Sequence, residues 1–187
     1  MAIIAAVLKA QTAVRFTHLS DGGEYLRVSE GGRRVTPTGG GMDNWAIGTP
    51  ALCAGGCVRV TVPGQSDYAL GSKVSIGVIG TTDPIGYSFR HATATGWQGR
   101  DGYAYYAGKK LYSYDGWPPS GWRDGDTAAL MIDTAADTLT LILKHRRERR
   151  AFTIELRDDV AEWFVIVSGG SVEVQPMTPA EYDAFLP

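Results

Sequence analysis

Apolar and polar residues alternate along most of this chain, in runs that are each short. Val58, Val60 and Val62 share one side of an extended segment, with Arg59 and Thr61 on the other. The same two-residue period recurs at 74–78, 139–143, 152–156, 163–167 and 172–174. Because this is the period of a half-buried β-strand, the pattern predicts many short strands.

One run departs from the alternation, and turn signals separate the others. Residues 128–132 are uniformly apolar, as expected of a strand that is covered on both faces. Pairs typical of tight turns, such as Pro63-Gly64, Asp115-Gly116 and Gly169-Gly170, lie between nearly all of the runs. Short strands joined in this way predict an antiparallel sandwich or barrel.

The clearest helix signal lies at the C-terminus. Thr178 can act as the N-cap, Pro179 occupies the first helical position, and Glu181 completes a capping box. Neither an internal repeat nor a linker interrupts the remaining sequence. We therefore expect one β domain over residues 15–175, preceded by a strand or tail at 1–14 and followed by a tail with a helical turn at 176–187.

Composition narrows the class of protein. The chain has 187 residues, a formal net charge of −2, and 24 glycines, against a usual glycine content of about 7%. The near-neutral charge argues against a protein that mainly coats nucleic acid. Two cysteines and three histidines exclude a disulfide scaffold and leave little for a metal cluster, so we expect no metal and no cofactor.

The sequence also bears on location. It contains no stretch of 18 or more apolar residues, the length needed to span a bilayer. The apolar start, Met1 to Leu8, has no basic segment before it, so we interpret it as a strand or tail and not as a secretory signal. We expect an intracellular, cytoplasmic protein without a membrane anchor.

Several motifs follow one another over about residues 15–175. The most specific is Asp124-Gly-Asp126, continuing to Ile132-Asp133 and then Thr138-Leu-Thr-Leu141; another is the strand from Lys73 to Gly80. The other motifs are the hairpins at 25–36 and 102–112, the segment 55–62 and the closing segment 163–174. This ordered set resembles the SPRY (B30.2-like) domain family, nearest the SPRY/SOCS-box branch, although too few residues follow for a SOCS box.

The sequence departs from that family pattern in three places. Val58-Arg59-Val60 stands where the family has Trp-Glu-Val, and a basic stretch at 144–150 replaces an Asn-Gly turn. Ser168 stands where the SPRY/SOCS-box branch has a tryptophan. These differences affect the assignment of a ligand more than the assignment of a fold.

The resemblance implies a bent antiparallel two-sheet β-sandwich, a concanavalin-like jelly roll of SPRY type. It implies a non-catalytic adaptor, a monomeric domain that binds a short peptide segment of a partner protein through loops at one edge. Family position makes Pro37, Thr38 and Tyr87 candidate binding residues, with the turn Ser168-Gly169-Gly170 presenting backbone groups. Arg34 and Arg90 are expected to pair with acidic side chains of the partner.

Aromatic residues are dense between residues 97 and 122, where they alternate with glycine and proline. Strand alternation places Tyr105 and Tyr106 on opposite sides, so part of this group belongs to the core. Trp117, beside Pro118-Pro119, is the best surface candidate and joins the predicted binding residues. A carbohydrate-binding sandwich that stacks sugars on Trp97, Trp117 or Trp122 is one alternative; a structural subunit of a larger complex is another.

Charged residues and cysteines have simpler interpretations. The basic stretch 144–150 is a weak hint of phosphate binding, but we interpret it as a solvated hairpin tip that protects a sheet edge. Asp124, Asp126 and Asp133 form the one tight acidic cluster of the sequence. Aspartates in turns usually bond to the local backbone, so we interpret these three as structural and expect no enzymatic activity. Cys57 is predicted to lie in the core and Cys53 to be a loop thiol.

Overall fold

A computed structural model describes residues 13–39, 44–63, 74–84, 88–98, 103–111, 125–145 and 148–186. In chain order its strands are β1 (Arg15–Leu19), β2 (Leu26–Ser29), β3 (Arg34–Pro37), β4 (Trp45–Leu52), β5 (Cys57–Thr61), β6 (Ser75–Ile79), β7 (Thr95–Gln98), β8 (Ala104–Tyr106), β9 (Lys109–Leu111), β10 (Thr127–Asp133), β11 (Thr138–His145), β12 (Glu148–Glu155), β13 (Trp163–Ser168) and β14 (Val172–Pro176). One helix, α1 (Pro179–Asp183), follows them.

The strands form two antiparallel sheets. Sheet A has the order β1-β4-β13-β6-β7-β8-β9, and sheet B has the order β12-β11-β10-β5-β14-β3-β2. Each sheet has seven strands, counted over the described residues. The alternating pattern predicted a sandwich or a barrel, and the resemblance to SPRY domains implied a two-sheet sandwich; the all-β, two-sheet sandwich is confirmed.

The main core lies between the two sheets and is built from the inward-facing residues of the alternating runs. Its members from the predicted runs are Val58, Val60, Val62, Val74, Ile76, Val78, Leu139, Leu141, Leu143, Phe152, Ile154, Leu156, Trp163, Val165, Val167, Val172 and Val174. All of them are buried. Burying such a side chain contributes about 1.5–3 kcal/mol, so these alternating positions determine which face of each strand points inward.

Strand β10 is covered on both faces, as its unbroken apolar run predicted. Ala128, Leu130 and Ile132 belong to the main core. Ala129 faces the other way, into a second cluster on the outer face of sheet B. The C-terminal segment supplies the cover there, through Met177, Tyr182 and Phe185.

Helix α1 begins as its sequence predicted. The Thr178 side chain accepts a hydrogen bond from the Glu181 amide, the Glu181 carboxylate accepts one from the Thr178 amide at 2.8 Å, and Pro179 occupies the first turn. Arg59 Nη2 lies 2.9 Å from Glu181 Oε1, and its guanidinium carbon lies 5.8 Å from the centre of the Phe185 ring. Arg59, one of the residues that depart from the family pattern, therefore holds the C-terminal helix against the sheet.

The two cysteines and Asp133 have the structural roles that the sequence predicted. Neither cysteine is in a disulfide; Cys57 is buried and Cys53 is partly buried. Burial raises the pKa of the Cys57 thiol, because the thiolate would lose its solvation. Asp133 Oδ1 accepts hydrogen bonds from the backbone amides of Ala135 and Ala136, and Asp124 lies outside the described residues.

The cover over Cys57 leads to a prediction about thiol reactivity. In the wild type, a thiol-reactive dye should modify Cys53 first, because Cys57 is buried beneath the C-terminal segment. Phe185→Ala should raise the rate of labelling at Cys57 at least about tenfold, since it removes part of this cover. Mass spectrometry of the labelled peptides gives both rates. Leu111→Ala, an apolar truncation on β9, is the control, and an unchanged Cys57 rate in Phe185→Ala would contradict the described cover.

Candidate functional site

The end of β3 and the turn after β13 meet at one end of the sandwich. Strand β13 ends at Ser168 in sheet A and β14 begins at Val172 in sheet B, so residues 169–171 cross between the sheets. Gly169 has φ +77°, a left-handed conformation that glycine adopts without strain. We call residues 25, 36–39, 44–45 and 168–171 the loop edge.

Hydrogen bonds join the two parts of the loop edge. The Gly169 amide donates to the Asn44 carbonyl at 3.3 Å, and Asn44 Nδ2 donates to the Gly39 carbonyl at 2.8 Å. Ser171 Oγ donates to the Val35 carbonyl at 3.3 Å and lies 3.1 Å from Thr36 Oγ1. Two loops that are more than a hundred residues apart in sequence therefore form one hydrogen-bonded unit.

Five of the predicted binding residues lie at this loop edge. Pro37 pairs with Leu26 across β2 and β3, and the exposed Thr38 donates its amide to the Tyr25 carbonyl at 2.9 Å. Ser168 and Gly170 are buried, and Gly169 is partly exposed. Tyr87 and Trp117 lie outside the described residues, so their binding roles stay predictions.

Arg34 lies beside the loop edge and already has an acidic partner within the chain. Val35 points into the core, so Arg34 and Thr36 lie on the outer face of sheet B. Arg34 Nη2 lies 2.5 Å from Glu173 Oε2 and its Nε 3.2 Å from the same oxygen. Gln175 Nε2 donates to Glu173 Oε1 at 2.7 Å, so both oxygens of this carboxylate are bonded.

This environment changes the ionisation of Glu173. Partial burial alone would raise the pKa of its carboxyl group, because the charged form loses solvation. Hydrogen bonds from Arg34 and Gln175, together with the charges of Arg34 and Arg33, outweigh that cost and hold the pKa below its usual value. Glu173 is therefore ionised at neutral pH, and it neutralises Arg34.

Arg90 lies away from the loop edge. Ser168 pairs with Ser75, and Ser75 pairs with Gln98, so the loop edge is near the last residue of β7. Arg90 precedes the first residue of β7, which is at the other end of that strand. The Arg90 carbonyl oxygen is close to the turn between β8 and β9, 2.5 Å from the position of a Cβ added at Gly108. Arg90 thus belongs to the opposite end of sheet A.

Two aromatic residues at the loop edge were not among the predicted site residues. Tyr25 is 37% exposed, and its ring packs beside Gly39. Trp45 is partly buried, pairs with Ser168 across β4 and β13, and donates its amide to Ser20 Oγ at 3.1 Å. Trp45 directly follows the glycine-rich loop, a position that could have identified it from the sequence.

Trp97 is in the core and not on the surface. It is fully buried between the sheets, which excludes it as a platform for stacking sugars. Tyr105 and Tyr106 lie on opposite sides of β8, as the alternation predicted. Tyr105 packs against Phe89 on the outer face of sheet A, with ring centres 5.6 Å apart.

The described part of the basic stretch lies on two paired strands, with His145 at the end of β11 opposite Glu148 at the start of β12, and residues 146–147 lie outside the described residues. The stretch connects β11 and β12, and β12 is the last strand of sheet B among the described residues. Arg149 Nη1 donates to the Leu186 carbonyl at 2.9 Å, and Lys144 lies 6.0 Å from the centre of the Phe185 ring. Charged side chains on an edge strand discourage edge-to-edge association, which fits the structural interpretation of this stretch.

A cavity opens at the end of the sandwich opposite the loop edge. Its volume is about 640 Å³, and its lining includes Tyr106, Asp137, Glu155, Arg157 and Asp159. Arg157 and Asp159 form an ion pair with Nη2 and Oδ2 2.5 Å apart. Because none of its lining residues belongs to the loop edge, the cavity is separate from that site.

Neither a cluster of candidate metal ligands nor a membrane-spanning helix occurs among the described residues. Within these ranges, no group of three or more His, Cys, Asp or Glu side chains could hold a metal ion. None of the helices found in the same ranges has the length and apolar character to cross a membrane.

Comparison with known proteins identifies the fold. No protein-family model matches this chain, and a search of curated protein sequences found no match. The SPRY domain of human HERC1 superposes with a TM-score of 0.59 at 16% identity, over 83% of this chain and 94% of that domain. The TRIM65 PSpry domain gives 0.61 at 14% identity, over 89% of this chain and 93% of that domain.

A human SPRY domain gives a TM-score of 0.52 at 14% identity, over 85% of this chain and 97% of that domain. At these identities the likeness concerns the fold. The chain has the SPRY-type β-sandwich fold that its ordered motifs predicted.

The Arg34–Glu173 pair leads to a prediction about pH. The pKa of Glu173 in the folded protein is below its ordinary value of 4.5, so the ionised carboxylate stabilises the fold above that value. This stability is lost as the pH falls through the lowered pKa. Glu173→Gln should therefore lower the free energy of unfolding at about pH 7, and the difference from wild type should shrink towards about pH 3.

Urea unfolding at several pH values measures this difference. Glu162→Gln, at an exposed residue before β13, is the matched control and should leave the free energy of unfolding nearly unchanged. A difference between Glu173→Gln and wild type that is the same at all pH values would contradict the prediction.

Proposed function

We propose that this chain is a non-catalytic protein-interaction domain that binds a short peptide segment of a partner protein at the loop edge. The observation that carries the proposal is the direct hydrogen bonding between the loop after β3 and the turn after β13. Loops held in place by a rigid sandwich are common binding sites. Comparison with SPRY domains supports a role in protein interaction.

The loop edge has the properties that peptide binding requires. Ser171 bonds to Thr36 and to the Val35 carbonyl, and Asn44 bonds to the Gly39 carbonyl, so the described residues of the loop edge are held together before a ligand arrives. Preorganisation of this kind lowers the entropy lost on binding. The exposed Tyr25 and Thr38 then offer one large ring and one hydroxyl to an extended segment.

In this proposal some of the predicted binding residues contact the peptide and others hold the shape of the turn. Pro37 and Thr38 contact the peptide, and Gly169 contributes backbone groups. The buried Ser168 and Gly170 hold the shape of the turn. Arg90 is left out of the contact because it belongs to the other end of sheet A.

The remaining features of the proposal concern Tyr87, Trp117 and the location of the protein. Tyr87 and Trp117 keep their proposed contacts on the strength of the sequence alone. We propose a monomer that acts inside the cell, and the two thiols, neither of them in a disulfide, fit a reducing compartment. No observation on the described residues favours the carbohydrate-binding alternative, since Trp97 is buried.

Tyr25 is the residue that tests the proposed site. A library of random peptides displayed on phage is selected on the immobilised wild-type domain, and the affinity of the enriched peptide is measured by fluorescence polarisation. Tyr25→Ala should weaken this affinity at least about tenfold, because an exposed aromatic ring at an interface often carries much of the binding energy.

The matched control is Leu111→Ala. Leu111 is also 37% exposed but lies on β9, away from β3, so its truncation should change the affinity less than about twofold. Equal losses in the two variants, or a selection that enriches no peptide, would refute binding at the loop edge.

A further inference from the structure

Glu173 supplies Arg34 with a counter-ion from within the chain. Two guanidinium nitrogens of Arg34 approach one carboxylate oxygen of Glu173, and Gln175 bonds to the other oxygen. The Glu173 side chain is 13% exposed and that of Arg34 is 35% exposed, so the pair lies partly in contact with solvent. A ligand that reaches Arg34 therefore meets an arginine that is already neutralised.

The ion pair borders the loop edge. Arg34 lies two residues before Thr36 on the same face of β3, a separation of about 7 Å in an extended strand. Glu173 likewise follows Ser171 by two residues, and Ser171 is the residue that bonds to Thr36. An extended peptide that contacts Thr36 and Thr38 and continues along β3 would pass over this pair.

A carboxylate on the incoming peptide would meet two costs at this position. It would face the like charge of Glu173, and like charges brought together across an interface disfavour the wrong partner. If it displaced Glu173 from Arg34, it would leave a largely buried carboxylate with only Gln175 as a partner. A segment without charge meets neither cost.

We propose, building on peptide binding at the loop edge, that the site rejects a carboxylate at the peptide position that faces Arg34. Glu173 is the specificity-determining residue. This reverses the prediction that Arg34 binds an acidic side chain of the partner. The chain itself provides that acidic side chain.

Parallel selections from one phage-displayed random heptapeptide library test the proposal. The domain is immobilised as wild type, as Glu173→Gln, as Glu162→Gln, and as the double variant Arg34→Gln with Glu173→Gln. Sequencing of the enriched pools gives the frequency of Asp and Glu at each position relative to the starting library. Circular dichroism and urea unfolding confirm that each variant is folded.

The wild-type and Glu162→Gln pools should be depleted of Asp and Glu at one peptide position, the position that faces Arg34. The Glu173→Gln pool should be enriched in them about fivefold over wild type at that position, as expected for an ion pair in partial contact with solvent. That enrichment should disappear in the double variant, because Arg34 is the cation that attracts the acid.

Each other outcome overturns the proposal at a different level. If the wild-type pool is rich in Asp and Glu at the position where Glu173→Gln selects them, or if Glu173→Gln selects the same sequences as wild type, Glu173 does not set specificity although the site binds peptides. If none of the folded domains enriches any peptide, binding at the loop edge is itself wrong and the inference fails with it.

Discussion

The structure depends on one short connection between its two sheets. Strand β13 lies between β4 and β6 in sheet A, and β14 lies between β5 and β3 in sheet B. Only residues 169–171 join them. The four peptide links from Ser168 to Val172 reach at most about 14 Å, and packed sheets lie about 10 Å apart, so the connection holds these strands face to face at this end.

This connection also explains where the candidate site lies. A turn that crosses from one sheet to the other must pass the loop that leaves β3, since β3 is the neighbour of β14. The Gly169 amide in the turn donates to the Asn44 carbonyl, and the Ser171 hydroxyl donates to the Val35 carbonyl of β3. Backbone polar groups at the end of a sandwich need hydrogen-bond partners, and the bonds that provide them hold the loop edge together.

Among the described residues, the outer face of sheet B carries two ion pairs with different consequences. Arg59 bonds to Glu181 and holds α1 over Cys57, so its charge contributes to the C-terminal cover. Arg34 bonds to Glu173 next to the loop edge, so its charge is cancelled where a partner would contact it. Both arginines are thus paired with acids of the same chain.

Local sequence determined strands β5, β6 and β10 to β14, their inward faces and the capping box of α1, because these depend on residues within a few positions of one another. Tertiary structure decided what depends on distant residues: the burial of Trp97, the position of Arg90, and the partner of Arg34. Arg34 and Glu173 are separated by 139 positions, and no local pattern indicates that they pair. Strand order brings them together, and strand order follows from burying all of the apolar faces at once.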